Sequence, residues 1–176
     1  NRIITYHFSI FIKDDTLITS KTDLKGKITY GNNDFIKYGE YTESEFLNKP
    51  HNLIRHSKMP RTAFKLLWDT LANKNEFFAF VCNLSKTGKT YWVFANITPS
   101  YDENGKVVGY YSVRRRPSKE GVETIQSIYA KLLEIEKSQG VDKGVQFIQN
   151  FLKENNTTWD EFIINLQNKG KTGGYR

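Results

Sequence analysis

Three consecutive strand-like segments, separated by two short turns, constrain this fold more than any other feature. The segments run over residues 77–85, 90–101 and 106–115. The second turn contains Asn104-Gly105, and Asn-Gly between apolar runs is the strongest short-range signal for a β-hairpin. The pattern therefore predicts a three-stranded antiparallel meander, whose apolar residues must be covered by other parts of the chain.

Two further strands are predicted before the meander. Residues 17–22 and 27–30 flank the turn Asp23-Leu24-Lys25-Gly26, which is typical of a hairpin. Short helices are predicted at 34–38 and 43–47, between this hairpin and the meander. We therefore expect an α+β fold, in which a five-stranded antiparallel sheet carries short helices on one face.

A longer helix is predicted to begin at Pro60, because proline fits the first turn of a helix. Phe64, Leu67, Trp68 and Leu71 then recur at helical spacing, and they form one apolar stripe. This helix precedes the meander along the chain. It is therefore expected to pack its stripe against the sheet.

The two ends of the chain differ from the central part. Residues 3–12 alternate as a strand does, and we take residues 1–16 as an N-terminal cap segment. The central domain spans residues 17–117. Helical periodicity follows, and it predicts a helical extension of three helices over residues 118–168. Residues 169–176 are expected to form a flexible tail.

Charge and composition exclude several classes of protein. The net charge is +7, but the lysines are scattered along the chain, so we expect a solvated basic surface and no nucleic-acid partner. The single cysteine, Cys82, excludes an internal disulfide framework and fits a cytoplasmic location. No apolar run reaches the roughly 18 residues of a membrane span. Neither an activated nucleophile nor a metal cluster is recognisable, so we do not expect an enzyme.

The segment from Pro50 to Pro60 predicts a binding pocket. It places His51, Arg55 and His56 between two prolines, just before the apolar helix. Proline restricts the backbone at both ends, and the three side chains between them are cationic or titratable. Such a segment favours a shaped site over a plain connector.

With its surroundings, this segment resembles the PAS sensor domain of bacterial aerotaxis, or energy-taxis, receptors. The matching positions lie in the Pro50–Pro60 segment, in the helix after it and in the strands of the meander. They are Pro50-His51-Asn52-Leu53-Ile54-Arg55-His56, Met59-Pro60, Ala63-Phe64, Leu67-Trp68, Tyr91-Trp92-Val93, Ala95-Asn96, Gly109-Tyr110 and Ser112-Val113-Arg114. The resemblance covers about residues 17–117 and implies a PAS fold.

The resemblance also implies a function. In that family the PAS pocket holds FAD, and the redox state of the flavin is passed to a chemotaxis signalling module. This chain resembles the split version, in which a free PAS protein acts on a membrane-bound chemotaxis transducer (a HAMP/signalling protein). We expect a homodimer that forms through the PAS domain or the N-terminal cap segment. The protein is expected in the cytoplasm, and any association with the membrane is expected to occur through the partner.

Ten residues are candidates for cofactor binding. Aromatic side chains suit the walls of a flavin slot, amides suit the polar edge of the ring, and an arginine suits a pyrophosphate. Arg55 and His56 match positions at which the resemblance implies contact with the cofactor. The candidates are Phe64, Trp68, Phe78 and Trp92 for the walls, Asn32, Asn83 and Asn96 for the edge, and Arg55, His56 and His51 for charged or polar contacts.

Departures from the family pattern bear on the site. Ser57-Lys58 replaces the usual Pro-Asp, which exchanges an acid for a cation near the cofactor. Phe78 replaces a tryptophan and Phe80 a small residue, and both are expected to narrow the pocket. Cys82 lacks the Asn-Cys-Arg-Phe context of flavin-adduct photosensors, so we do not expect blue-light adduct chemistry.

Two other functions stay open at this point. A haem-binding gas or redox sensor would use His51 or His56 as the axial ligand. A cofactor-free interaction module would use its strand edges and helices as partner surfaces. A core position is favoured over a cofactor contact for Trp92, whereas Trp68 is equally compatible with both.

Overall fold

The computed structural model describes residues 9–169, in which the chain forms one sheet with helices on both of its faces. The strands are β1 (Ser9–Ile10), β2 (Ile18–Thr22), β3 (Ile28–Gly31), β4 (Phe77–Leu84), β5 (Thr90–Tyr101) and β6 (Val107–Arg115). The helices are α1 (Asn33–Gly39), α2 (Glu43–Phe46), α3 (Arg61–Ala72), α4 (Lys119–Gln139), α5 (Val141–Glu154) and α6 (Trp159–Lys169), with a 3-10 helix at His51–Ile54.

Five of the strands form the predicted antiparallel sheet, in the order β3-β2-β6-β5-β4. The α+β class, the first hairpin and the three-stranded meander are therefore confirmed. β1 adds a short parallel pairing to β5, with Ser9 opposite Thr90 and Ile10 opposite Tyr91. This is the described part of the strand predicted over residues 3–12, of which residues 3–8 lie outside the described region.

The helices α1, α2 and α3 and the 3-10 helix lie on one face of the sheet, as predicted. Ile28, Phe35, Phe46, Ile54 and Val93 are at most 2% exposed there and form a core with the inward side of the strands. The helix pattern around Pro60 is also confirmed, since Pro60 is the N-cap of α3. Burial of these side chains stabilises the fold by about 1.5–3 kcal/mol each.

The helices α4 and α6 pack against β4 on the opposite face, and α5 packs against α3 and α4. Phe80, Cys82 and Ile125 are fully buried between these helices and β4. Two hydrogen bonds tie the helices to the backbone of β4: Tyr129 Oη donates to the Phe80 carbonyl at 2.7 Å, and Trp159 Nε1 donates to the Phe78 carbonyl, also at 2.7 Å. The predicted helical extension is therefore packed on the sheet of its own chain. The tail was predicted over residues 169–176, but Lys169 is the last residue of α6. Residues 170–176 lie outside the described region.

None of the helices formed by residues 9–169 has the length and apolar character needed to cross a bilayer.

Candidate cofactor-binding cavity

A cavity of about 300 Å³ lies between the inward face of the sheet and α3. Its volume matches the lower end of small-molecule binding sites, and most of its wall is apolar. The apolar lining is Ile54, Met59, Ala63, Phe64, Leu67, Trp68, Leu71, Phe77, Ala79, Val81, Ala95, Ile97 and Tyr110. The arrangement suits a flat apolar ligand.

Small side chains on β4 and β5 leave the space for this cavity. Ala79 and Val81 on β4 and Ala95 on β5 point toward α3, because alternate residues of a strand face the same side. Phe80 and Phe94 lie between them in sequence and point to the opposite face, where they pack against the C-terminal helices. The sheet therefore turns its small residues to the cavity and its large aromatics to the helices.

Trp68 lies at the mouth of the cavity. It is 42% exposed, and its ring meets the Tyr110 ring edge-on with centroids 5.4 Å apart. On the other side it approaches Gly26, where an added Cβ would be 3.6 Å from the indole. Such an exposed indole at a cavity mouth is available to a ligand without loss of core packing.

Asn83 places an unpartnered donor in the cavity. It is 3% exposed and lines the cavity from β4, and its Nδ2 has no hydrogen-bond partner within residues 9–169. A buried amide normally has a partner, since leaving it without one costs roughly 1–3 kcal/mol. Asn83 is therefore suited to bind an acceptor atom of a ligand.

Arg114 brings a buried cation to the same cavity. It is 3% exposed; its Nη2 donates to Ser20 Oγ, and its Nε donates to Ser112 Oγ at 3.0 Å. Its Nη1 has no partner within the described residues. Burial lowers the pKa of the guanidinium to about 10, so it remains cationic at neutral pH.

His51 lies beside this cation and is neutral. Its Nε2 is 2.9 Å from Arg114 Nη2 and 3.0 Å from Ser20 Oγ. Because a guanidinium only donates hydrogen bonds, Nε2 accepts. Burial, helped by the charge of Arg114, lowers the pKa of His51 to about 3. His51 lines the cavity as predicted by the sequence, as a polar neutral group.

Arg55 lines the cavity near its mouth and is partly buried. Its Nη2 donates to the Met59 carbonyl at 3.1 Å, and its guanidinium lies 4.1 Å from the centroid of the Phe64 ring. Burial lowers the pKa of Arg55, although the nearby Glu136 opposes this. The cation–π contact holds both side chains in the cavity wall.

Phe78, Trp92 and Asn96 do not line the cavity, and their predicted location is corrected. Phe78 pairs with Asn96 across β4 and β5, so both point to the face covered by the C-terminal helices. Trp92 points there too, with its ring 6.2 Å from that of Tyr129. The physical reason is the two-residue period of a strand: Asn83 and Phe78 are an odd number of residues apart and cannot share a face.

Asn32 and His56 also lie outside the cavity. Asn32 is the N-cap of α1: its Oδ1 accepts from the Phe35 N–H at 2.9 Å, and its Nδ2 donates to the Leu17 carbonyl at 2.8 Å. His56 is buried and lines an adjoining depression, which shares Arg55 and Met59 with the cavity, and its Nδ1 accepts from the Lys58 N–H at 3.0 Å. Both predicted locations are corrected, because local backbone groups take up these side chains.

The expectation that Phe78 and Phe80 narrow the pocket is corrected by the same strand parity. Phe78 and Phe80 face the C-terminal helices, so neither narrows the cavity. Cys82 also points away from the cavity and is fully buried, and this burial raises the pKa of its thiol to about 12. The thiol is therefore neutral and remote from any ligand in the cavity.

Ser20, Ser112 and Arg114 are site residues that sequence reasoning missed. Arg114 belongs to the run Arg114-Arg115-Arg116, which by composition suggests an exposed basic cluster. The structure separates the run: Arg114 is buried, and Arg115 is exposed. The signal that was available is strand parity, because Arg114 lies an even number of residues from Ser112 and Tyr110.

Comparison with known proteins agrees with this fold. The family described as the PAS fold matches residues 28–114. A light-oxygen-voltage domain studied with a flavin analogue superimposes with a TM-score of 0.55 at 20% identity, over 63% of this chain and 83% of that one. The light-state domain of the blue-light photoreceptor Aureochrome1 gives 0.55 at 16% identity, over 67% and 91%. These structures show the fold alone. Together with the family match, they define this protein as one that contains a PAS domain.

Sequence similarity narrows this class. The aerotaxis receptor of Escherichia coli (strain K12) is 37% identical over 134 residues, which cover 76% of this chain and 26% of the receptor. The chain therefore belongs to the PAS domains of the aerotaxis-receptor family. It spans about a quarter of the length of that receptor.

Proposed function

We propose that this chain binds FAD in the cavity and acts as a redox sensor for aerotaxis. The observation that carries the proposal is an apolar cavity with two buried donors that have no partner in the described region, Asn83 Nδ2 and Arg114 Nη1. A flavin ring is a flat aromatic system with acceptor atoms along one edge. It therefore fits both the apolar walls and the unused donors.

Each residue of the cavity has a role in this proposal. Phe64 and Trp68 provide aromatic walls, Asn83 and Arg114 provide donors in the interior, and Arg55 lies near the mouth with guanidinium nitrogens suited to phosphate. When bound, FAD supplies reversible electron transfer, which couples the site to the redox state of the cell. The protein itself binds and orients the ring and excludes water from it. We propose a signalling role and no catalysis.

The contacts of α3 provide a route from the cavity to the C-terminal helices. α3 forms one wall of the cavity, and Glu136 of α4 accepts hydrogen bonds from Thr62 N–H at 2.6 Å and Thr62 Oγ1 at 2.9 Å. A change in the cavity that moves α3 therefore acts directly on α4. Coupling of about 1–3 kcal/mol between such sites is enough to shift a two-state equilibrium.

The proposed recipient of the signal is a membrane-bound chemotaxis transducer, with this chain in the cytoplasm. The E. coli relative is an aerotaxis receptor, and the similarity covers 76% of this chain and 26% of that receptor. We further propose a homodimer through the PAS domain or the N-terminal cap segment, where Phe11 is 84% exposed.

The geometry favours flavin over haem. His51 Nε2 lies against the Arg114 cation, which opposes binding of an iron ion at that nitrogen. His56, the other candidate ligand, lines the adjoining depression and not the cavity itself. Haem would therefore need a rearrangement of the Arg114 and His51 pair.

The first experiment is the absorbance spectrum of the purified chain, before and after addition of FAD, with chromatography of any released chromophore. Two broad flavin bands and released FAD support the proposal. A single intense Soret band would replace flavin by haem. A protein that remains colourless after FAD is added would leave the cofactor-free interaction module as the function.

The second experiment compares two tryptophans on opposite faces of the sheet. Trp68→Ala is expected to weaken FAD binding at least tenfold while changing the melting temperature little, because Trp68 is 42% exposed at the mouth. Trp92→Phe, on the face of the C-terminal helices, is the matched control and should retain FAD. Equal FAD affinity in the Trp68→Ala variant and the wild type would contradict the assigned cavity.

A further inference from the structure

Exposed apolar side chains gather at the end of the molecule where the cavity opens. Trp68 of α3 packs there against the ring of Tyr110. Leu24 follows β2 and lies near Val108, because the pairing of β2 with β6 brings these two stretches together. Within residues 9–169, this end holds four of the seven large apolar side chains that are exposed, and we call them the end patch: Leu24, Trp68, Tyr101 and Val108. Exposed apolar patches of this kind mark interaction sites.

The β2–β3 hairpin gives the end patch a positive side. It carries Lys25 and Lys27, and Lys49 lies beside it, because the Ile28 N–H donates to the Lys49 carbonyl at 2.9 Å. All three lysines are exposed, and none forms a salt bridge within the described residues. The one acid of the hairpin, Asp23, accepts from the N–H groups of Lys25 and Lys27 at 2.9 Å. Three cations therefore face one anion on this side.

The β5–β6 turn gives the end patch a negative side. It carries Asp102 and Glu103 against one cation, Lys106, and all three are exposed. Asp102 accepts from the N–H groups of Asn104 and Lys106 at 2.9 Å, whereas Glu103 forms no salt bridge within residues 9–169. The sheet order β3-β2-β6-β5 places the hairpin and the turn on opposite sides of Val108. The apolar centre therefore separates a positive side from a negative one.

This arrangement is complementary to itself. A two-fold axis through the end patch turns the apolar side chains of two copies toward each other and exchanges the two charged sides. The hairpin of each copy then meets the β5–β6 turn of the other, and opposite charges approach across the interface. The end patch also supplies Trp68 and Tyr101, and tryptophan and tyrosine are enriched at the energetic centres of interfaces.

We propose that two copies of this chain pair end to end through the end patch, so that each copy covers the cavity mouth of the other. This proposal rests on the homodimer of the proposed function and names its surface. It requires no ligand in the cavity. Closure of the mouth would shield Trp68 and the cavity from solvent in the dimer.

The first test measures the oligomeric state of the full chain by sedimentation over a concentration series. Leu24→Ser is expected to weaken dimerisation at least tenfold, because a two-fold interface contains the substitution twice. Leu17→Ser is the matched control, since Leu17 is also exposed but lies before the opposite end of β2. Equal dimerisation of Leu24→Ser and the wild type would overturn the proposal.

A charge-reversal test examines the two-fold pairing itself. Lys25→Glu and Glu103→Lys are each expected to weaken dimerisation at least tenfold, because each places like charges opposite each other twice. An equimolar mixture of the two variants is expected to dimerise as the wild type does, since every such contact then joins opposite charges. Lys153→Glu, at an exposed position on α5, is the control. A mixture that dimerises no better than the separate variants would overturn the two-fold arrangement.

Coverage of the mouth is measured by acrylamide quenching of tryptophan fluorescence without FAD. Trp68 is the most exposed of the three tryptophans, so quenching is expected to be weaker in the wild-type dimer than in the monomeric Leu24→Ser variant. Equal quenching of the two would overturn the assignment of the mouth to the interface.

Phe11→Ser separates this surface from the N-terminal cap segment. If Phe11→Ser abolishes the dimer and Leu24→Ser does not, the dimer forms through the cap segment and only the end patch is overturned. If the wild type is a monomer at every concentration, the proposed homodimer is overturned as well. Neither result changes the test of FAD binding, which is the absorbance spectrum.

Discussion

At the scale of single residues, Glu40 shows how one carboxylate joins two distant segments. It ends α1 with a left-handed backbone, at φ 62. Its carboxylate accepts from Ser85 Oγ at 2.7 Å, from Lys89 Nζ at 2.7 Å and from Thr87 Oγ1. These partners lower its pKa from 4.5 to about 2, with the bond to Lys89 as the largest cause. Glu40 therefore ties the end of α1 to the turn between β4 and β5.

This pKa predicts a pH-dependent contribution to stability. A carboxyl group with a depressed folded-state pKa stabilises the protein above its unfolded pKa, and that stability is lost as the pH falls. Glu40→Gln is expected to lower the free energy of unfolding by about 0.5–1 kcal/mol at pH 7. The difference should shrink as the pH falls from 4.5 to about 2. Urea unfolding at several pH values measures it.

Glu43→Gln is the matched control, because Glu43 is an exposed glutamate on the next helix. It is expected to change the pH profile much less than Glu40→Gln. A Glu40→Gln loss of equal size at pH 7 and pH 2 would contradict the role of the charge.

At the scale of elements, α3 depends on a cap supplied by another helix. Its N-cap residue is Pro60, which has no side-chain acceptor, so the first N–H groups of α3 need a partner from elsewhere. Glu136 of α4 provides it by accepting from Thr62. Close packing supports the contact, since a Cβ added at Gly144 of α5 would lie 2.1 Å from Thr62 Oγ1.

Glu136→Ala is therefore expected to lower the free energy of unfolding by about 1–2 kcal/mol, the usual cost of a lost helix cap. It should also weaken FAD binding, because α3 forms a wall of the cavity. Chemical denaturation and FAD titration measure the two effects. The control is Glu134→Ala, an exposed glutamate on the same helix. Equal behaviour of the two variants would show that the cap does not support α3.

The strands β4 and β5 explain why the cavity walls could not be assigned from sequence. A strand with one solvated face alternates polar and apolar residues, and that alternation marks its inward side. Here both faces are covered, and Tyr91, Trp92, Val93 and Phe94 form a continuous apolar run. The only signal in the sequence was the difference in side-chain size between the two faces of these strands, since the small residues Ala79 and Ala95 lie on the cavity side.

At the scale of the whole molecule, the sheet is a shared wall between two cores. The cavity and the helices α1–α3 lie on one side, and α4 and α6 pack against β4 on the other. The second core also includes Met59 and Ala63, because α5 packs directly against α3. Phe80 is fully buried only because the C-terminal helices cover it. The PAS domain of this chain and its helical extension are therefore expected to unfold as one unit.

Removal of residues 118–176 tests this expectation. The shortened chain would expose Phe80, Trp92 and Phe94, and large exposed apolar patches promote association. We expect a loss of several kcal/mol in the free energy of unfolding, together with self-association. Size-exclusion chromatography and urea unfolding measure the two effects. A chain that ends at Lys169 retains all described helices and is the control. A monomeric shortened chain of unchanged stability would contradict the shared wall.

The sequence by itself determined the elements and their order. The Asn104-Gly105 turn and the spacing of Phe64, Leu67 and Trp68 are local signals, because each involves only residues that are close together in the sequence. The order of these elements, together with the Pro50–Pro60 segment, was sufficient to indicate a PAS domain of the aerotaxis type.

Only the tertiary structure decided which side chains meet in the cavity. His51 and Arg114 are 63 residues apart in sequence and 2.9 Å apart in space, and that contact depends on the pairing of β2 with β6. Trp92 and Asn96 likewise face the helices because of strand pairing. The pairing of a strand determines at once which of its alternate residues face each side of the sheet. Which face of the sheet α4–α6 would cover likewise depended on long-range packing, which local sequence patterns do not specify.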